Sequence, residues 1–432
     1  MRHLRLFRIQ KRGTTLLALS AVILTYTFAT SIMQYNLALF TDALAPTYTL
    51  FGLVMGLPWF FSLLTDMPTG AFADRFGRKR TIVLGLLGLG ASGVLFYAVS
   101  GLLQLFWALV IFGVFEGFLT VAGMASVIAA SPTGKENQFI GGYSSASAFG
   151  YFIGPLAGGL AVAWFGDRTP FLIFGAVCFV AAIIAQILIR EYNHHTRETL
   201  FRAIRNVFVK DRLYSAELKE FFSAGRLSVF VGFFMLLVGM WSEFIWAMEP
   251  LFVNSLHTSP IIGGIILSAF VAPFALLDYP VGRWIDRTQK RFFSILFGLV
   301  LGGAGIILFS FASHPYVLVL LAALVSTGFV FFYIAVNGLF DSFSDHHRRG
   351  YMTGVWQSAE DIGFVLGPIF GGVVADLLGL RGAFLIFGVT FLLSILWVVW
   401  ERKSILQYEY GYAERRVGKS GWFRNKTLPV SK

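Results

Sequence analysis

Twelve apolar stretches, each about as long as the twenty or so helical residues that cross a hydrocarbon layer, leave this chain few ways to fold. They fall near residues 14–40, 48–72, 81–100, 105–130, 139–164 and 169–190. After a polar interval they resume near 227–252, 260–282, 291–312, 315–340, 351–376 and 382–400. Lipid offers a backbone no hydrogen-bond partners, so runs of this length must be helices. Charged residues make up 13% of the chain, about half the share usual in soluble domains. The expectation is an all-α membrane protein with twelve spans. The first run is too long for a signal peptide and is read as span 1.

Charge orients the spans. With the N-terminus inside, all but two of the 34 lysines and arginines lie in segments on that side; the exceptions are Arg168 and Arg381. This bias predicts cytosolic termini. It also accounts for the net charge of +11 without nucleic acid, since the basic residues flank apolar runs.

The exceptions expose an internal repeat. Arg168 and Arg381 stand 213 residues apart, as do two copies of FLIFG, starting at Phe171 and Phe384. Upstream, Gly141, Gly150, Gly154, Pro155, Gly158 and Gly159 recur at the same offset as Gly354, Gly363, Gly367, Pro368, Gly371 and Gly372. DMPTGAFADR, from Asp66, pairs with DYPVGRWIDR, from Asp278, at an offset of 212. Two six-helix halves that start on the same side are parallel repeats. The expected division is an N-terminal half (1–190), a central loop (191–226), a C-terminal half (227–400) and a basic tail (401–432).

The loop GAFADRFGRK, holding Gly70, Asp74, Arg75, Gly77, Arg78 and Lys79, resembles the hallmark motif of the major facilitator superfamily of secondary transporters. Its second copy keeps Gly282, Asp286, Arg287 and Lys290, but Gln289 replaces the glycine. The glycine pattern of span 5 is similar to that of the superfamily's antiporter branches, notably drug:proton exchangers. The resemblance implies that Asp74 contacts the start of span 11 as part of a cytosolic gate and that spans 1, 4, 7 and 10 line a cavity. Gly70 is expected at a close helix approach. The cations have a second reading, as topology signals. The strip Gly150, Gly154 and Gly158 shares one helix face and suits close packing, also at a seam between halves. Where those antiporters often carry R-x-x-Q-G in span 4, this chain has Gly113 and Glu116 at the Arg and Gln positions.

Ionisable groups inside spans are costly and mark function. The candidates are all acidic: Asp66, Glu116, Glu243, Glu249, Asp278, Glu360 and Asp361. Glu116 and Glu360 lie about 15 Å into their spans, near the midplane, and Glu243 about 22 Å into span 7. Glu116 and Glu243 lead as proton-coupling or substrate-binding groups. Asp66 and Asp278, each two residues before a proline, suit hinge support as well as coupling. Glu360 and Asp361 diverge by about 100°, so one of them at most is expected to face the cavity. Glu249, beside Pro250, is expected to be partly hydrated. Phe115, Phe118, Trp241, Phe244, Trp246, Phe331, Phe332 and Tyr333 are candidates for a wall against lipophilic cations.

Enzyme readings fail for want of a nucleophile–base pair. The histidine pairs at 194–195 and 346–347 form no metal cluster, and the single cysteine, Cys178, excludes an intrachain disulfide. AERRVGKS, from Ala413, lacks the first glycine of a phosphate-binding loop and its strand context, so no nucleotide or other cofactor is expected. Leu200–Phe208 has the spacing of an amphipathic surface helix, a short helix is expected near 218–222, and the tail from Lys403 is expected to be mobile. The function expected is proton-coupled, alternating-access efflux of a lipophilic or cationic small molecule by a monomer in the cell membrane. The alternatives are proton-coupled import of a neutral nutrient and a non-transporting receptor or scaffold.

Overall fold

The computed structural model describes residues 2–132, 136–189, 226–343, 349–407 and Glu409. The central-loop helices expected near 200–208 and 218–222, both histidine pairs and most of the basic tail lie outside these residues. The described helices are α1 (Arg2–Asp42), α2 (Tyr48–Phe76), α3 (Arg78–Ala98), α4 (Leu102–Ala130), α5 (Glu136–Phe165), α6 (Thr169–Leu188), α7 (Arg226–Ser255), α8 (Pro260–Thr288), α9 (Arg291–Phe311), α10 (Pro315–Phe343) and α11 (Arg349–Trp400).

Eleven helices replace the twelve expected, yet the number of crossings is unchanged. α11 is 52 residues long and turns at Gly379 (φ 76°, ψ 170°), which divides it into span 11 and span 12. Gly166 (φ 85°) makes the equivalent turn between α5 and α6. That backbone region is open almost only to glycine, so a turn of minimal length can join two antiparallel spans.

The repeat holds in three dimensions. Thr47 caps α2 by accepting from the Leu50 N–H, and Ser259 caps α8 by accepting from the Ile262 N–H. Arg168 donates to the Tyr97 carbonyl at the end of α3 (2.7 Å) and lies over the Phe40 ring. Arg381 donates to the Ser310 carbonyl at the end of α9 (3.0 Å) and lies over the Phe252 ring. Each partner sits 212 or 213 residues from its counterpart. Both arginines satisfy carbonyls that a helix end leaves orphaned. This contact, rather than chance, places two cations on the face where the chain has no others.

Within the first half α1 packs on α5 and α6, and α3 on α4 and α6; the second half repeats this, with α7 and α9 against the two arms of α11 and α9 on α10. The halves meet where α2 packs on span 11 and α5 on α8, with α1 touching α7. The loop between α2 and α3 lies on what is called here the terminal face, the face at which α1 begins; the turns at Gly166 and Gly379 lie on the opposite face. Large exposed apolar side chains such as Leu17, Trp107, Ile187 and Leu320 belt the bundle, as lipid contact requires. Toward the helix ends stand Trp164, Tyr316 and Trp400, residue types enriched at membrane interfaces.

The described tail residues extend the helical structure after span 12, where mobility was expected from Lys403 on. Ile405 is fully buried, and the Glu409 carboxylate accepts from the Phe292 N–H in the first turn of α9 (2.6 Å). Burial pushes the Glu409 carboxyl up, against the lowering effect of that hydrogen bond.

Nothing lies within 4 Å of a Cβ built on Gly166 or Gly379. Substituting either by alanine therefore tests backbone strain without steric clash. Gly166→Ala and Gly379→Ala should each destabilise by about 1–3 kcal/mol. Thermal unfolding in detergent should show roughly additive losses in the double variant, because the sites lie in different halves.

Candidate functional site

A cavity of about 380 Å³ lies between the halves. Glu116 enters it from α4, Glu243 from α7 and Glu360 from span 11. Trp59, Tyr151, Trp241, Trp246, Phe270, Phe274, Phe329, Tyr333 and Phe364 form its aromatic wall, and among the described residues neither lysine nor arginine lines it. Trp241 stacks on Phe329 at 4.3 Å between centroids, nearly parallel, which fixes one side of the wall. Of the sequence candidates, Trp241, Trp246 and Tyr333 line the cavity. Phe244 and Phe332 are buried in the C-terminal half, Phe115 packs on Gly88, Phe118 stacks on Phe72 and Phe331 lies against Phe297. Trp59, Tyr151, Phe270, Phe274, Phe329 and Phe364 were missed. Their helices, except α10, are not among the four expected to line a cavity, and periodicity alone does not show which face turns inward.

The three acids are nearly sealed from solvent, and two of them accept hydrogen bonds. The Trp59 indole N–H donates to Glu243 across the halves (2.8 Å), and the Ser62 hydroxyl donates to Glu116 (2.9 Å). Ser62 also lies 3.3 Å from an Asp66 oxygen, so one hydroxyl on α2 bridges Asp66 and Glu116. Asp66 belongs to a second cavity of about 450 Å³ that runs along α4 past Thr120, Met124 and Ile128 toward the terminal face. Trp59, Glu116 and Phe364 line both cavities and form the partition between them.

Glu360 and Asp361 part as expected, with one of them facing the central cavity. Both face hollow space: Glu360 lines the central cavity and Asp361 the second one. Their divergence of about 100° sends them to opposite sides of the Phe364 partition. Asp278, exposed on α8, lies within electrostatic range of Tyr333 but lines neither cavity. Glu249 overturns one expectation: it is fully buried, and among the described residues neither carboxylate oxygen has a hydrogen-bond partner.

The span 4 departure from the antiporter pattern also has a structural cause. A Cβ on Gly113 would collide with the Pro58 carbonyl of α2, so no arginine fits there. The acid at Glu116 thus stands without the neighbouring cation that the pattern R-x-x-Q-G supplies.

At the terminal face Asp74 accepts from Arg78 Nε (3.1 Å) and Nη2 (2.8 Å), while Arg78 Nη1 donates to the Ala125 carbonyl of α4 (2.8 Å). The loop motif thus ties α2, α3 and α4 within one half. The side chains at the start of span 11 lie outside the described residues, and with them the far side of the contact expected for Asp74. Gly70 and Gly282 contradict the expected close approach: the nearest atoms to a Cβ there, on Val121 and Ile334, stand at 3.9 Å, an ordinary contact. Gly77 turns the chain at φ 111° between α2 and α3, whereas Gln289 ends α8 in the left-handed region and donates to the Asp286 carbonyl. The repeat lost its glycine by adopting a turn that other residues tolerate at modest cost. Arg75, Lys79 and Asp286 also engage neighbours.

The glycine strips do not form the seam between halves. Gly150, Gly154 and Gly158 press on α1 at Thr27, Ser31 and Ile32, and Gly363, Gly367 and Gly371 press on α7. Each strip therefore binds two helices of the same half. A Cβ on Gly141 would meet nothing within 4 Å among the described residues outside its own helix. The seam belongs to the next glycines along. A Cβ on Gly159 would strike the Pro260 carbonyl of α8 and one on Gly372 the Tyr48 carbonyl of α2; Gly264 meets Pro155, and Gly52 meets Pro368. Backbone lies on backbone at both seams, so the opposite face is closed.

One further group locks that face, and sequence reasoning missed it. Asp376 of span 11 accepts from the Tyr48 N–H (2.9 Å) and the Thr49 N–H (2.7 Å) at the start of α2. A carboxylate at a helix N-terminus meets unpaired donors and positive partial charge. The repeat position is Ala163, so the lock exists at one seam only. An acid that the repeat does not share was the available signal. Asp376→Ala should raise the population open at the opposite face by roughly a few-fold. A distance distribution between labels at the exposed Ser100 and His314 checks this; an unchanged distribution would leave the glycine contacts as the sole lock.

The sequence profile of the Major Facilitator Superfamily matches residues 17–248 and 229–429. The chain is 25% identical to multidrug resistance protein 2 of Bacillus subtilis, over 79% of this chain and 84% of that one. It is 27% identical to multidrug resistance protein MdtG of Dickeya zeae, over 82% and 85%. A solved bacterial homologue of the human lysosomal transporter Spinster superposes with a TM-score of 0.75 at 15% identity, over 92% of this chain and 98% of that one. Two matched halves, joined at two glycine seams around a central cavity, make this chain a member of the Major Facilitator Superfamily.

Proposed function

We propose that the protein exports lipophilic cations from the cytosol in exchange for protons, working as a monomer in the cell membrane with its terminal face and both termini in the cytosol. The observation that carries this reading is the central cavity: three carboxyl groups in an aromatic wall, with no lysine or arginine lining it among the described residues. Such a site favours cations over anions and offers ring faces to a delocalised charge. The names of the relatives, multidrug resistance proteins, support efflux.

The residues divide the work. Glu243, tethered by Trp59, sits where bound cargo would contact both halves. Glu116 lies on the partition and connects through Ser62 to Asp66 in the cavity that runs toward the terminal face. A proton on Glu116 is therefore linked through Ser62 to Asp66, in the cavity that runs toward the cytosolic face, while cargo entering the central cavity competes for the same charge. Glu360 adds a third negative site, and Asp361 faces the cytosolic cavity. The loop motif at Asp74 and its copy at Asp286 serve as the cytosolic gate, with the two six-helix halves as the moving bodies.

Inside-out vesicles with an acidic lumen test this with a fluorescent quaternary ammonium compound. Wild-type protein should accumulate the dye. Glu116→Gln should bind it but lose roughly tenfold or more of the pH-driven accumulation, as expected for a group whose titration drives the cycle. Glu243→Gln should first raise the concentration needed for half-maximal transport. Accumulation by Glu116→Gln at the wild-type level would remove Glu116 from the coupling step.

A further inference from the structure

The cavity acids leave one carboxyl unexplained. Glu249 stands on α7 six residues beyond Glu243, about 9 Å further along the axis toward the opposite face. It is fully buried, and its flanking residues from Ala247 to Val253 are buried with it. Among the described residues neither oxygen has a hydrogen-bond partner. Its neighbour Met248 packs against Gly371 of span 11. From α1 the titratable side chain facing it is Tyr35, within electrostatic range, whose hydroxyl is wedged against Gly263 of α8. Toward the surface, Asp42 lies two turns beyond Tyr35 on α1, and Asp376 is bound to the start of α2. Neither described ion pair involves Glu249.

A carboxylate sealed in such a place without a cation or a donor is prohibitively costly. Among the described residues no group of three or more His, Cys, Asp or Glu side chains stands there to share a metal ion with it. A proton resolves the cost, since it neutralises the group without further ligands. The site is also conditional. Glu249 is covered because α1, α7, α8 and span 11 converge at the closed seams, and parting those seams would let water reach it.

We infer that Glu249 is a proton-binding site of the outer gate, whose protonation from outside is what permits the gate to close. The inference rests on the orientation and the proton-coupled cycle proposed above. Once cargo has left, the outward-open protein holds an ionised, hydrated Glu249. The seams close over the neutral acid and not over its anion, so external protons set the rate of return to the closed state described here. Glu249 thereby acts upstream of Glu116, which faces the cytosolic route.

The test uses full-length protein in lipid nanodiscs without substrate, with the buried Cys178 replaced by alanine and spin labels at Ser100→Cys and His314→Cys. Distances are recorded at about pH 5.5 and about pH 8.5, either side of neutrality. The wild-type pair should shift from short to long distances on going alkaline. Glu249→Gln, which keeps the shape of the protonated acid, should stay short at both pH values, and Glu249→Asp should restore a pH response. Retention of the wild-type response by Glu249→Gln would overturn the proposal. So would a wild-type pair insensitive to pH, or a response abolished by Glu116→Gln but not by Glu249→Gln. Dye accumulation by the wild-type protein, measured separately, decides the export reading; its failure would leave these distances unaffected.

Discussion

How closely two helix backbones can approach governs the rest of this structure. In lipid, helices gain little from burying apolar surface, so association rests on close packing. Small residues permit that packing, and here they do two separate jobs. Gly150, Gly154 and Gly158 fasten α5 to α1, and Gly363, Gly367 and Gly371 fasten span 11 to α7. These contacts make each half a rigid body. Gly159, Gly264, Gly52 and Gly372 instead lie across the two seams. They permit an extremely close fit that a small rotation would destroy. One class of glycine builds the halves and the other lets them meet.

Chemistry is confined to the space those seams leave. From Glu249 through Glu243, Glu360 and Glu116 to Asp66 and Asp361, acids recur from the closed face to the cavity that reaches toward the terminal face. Held together as anions they would repel strongly, so they favour being filled by protons or by cationic cargo. The surrounding hydrogen bonds are few and specific. Trp59 links Glu243 to the other half, and Ser62 joins Glu116 to Asp66. The loss of an arginine from span 4 belongs to the same economy. Gly113 lets α4 lie against Pro58 of α2, and the partition around Glu116 needs that contact.

The two halves are similar without being equivalent. Arg168 and Arg381 make the same contacts in both, as do the caps Thr47 and Ser259. Asp376 locks one seam alone, and Gln289 replaces the turn glycine in one loop alone. Such departures occur where the halves face each other and in the loop between α8 and α9. That is where two copies of one fold must do different work.

The sequence by itself determined the membrane class, the twelve crossings, the parallel repeat and most of the acids that enter the cavities. These follow from constraints read one residue at a time: the length of an apolar run, the high cost of a charge in lipid, the offset between matching letters. What only the tertiary structure decided is which side of each helix faces what. Rotation about a helix axis is set by contacts with neighbours. So Glu360 and Asp361 both reach hollow space, Gly70 has room to spare, Glu249 is sealed rather than wet, and the glycine strips face their own half. Asp376 gained its role from α2, more than 320 residues away in the chain, whose first N–H groups happen to arrive beside it.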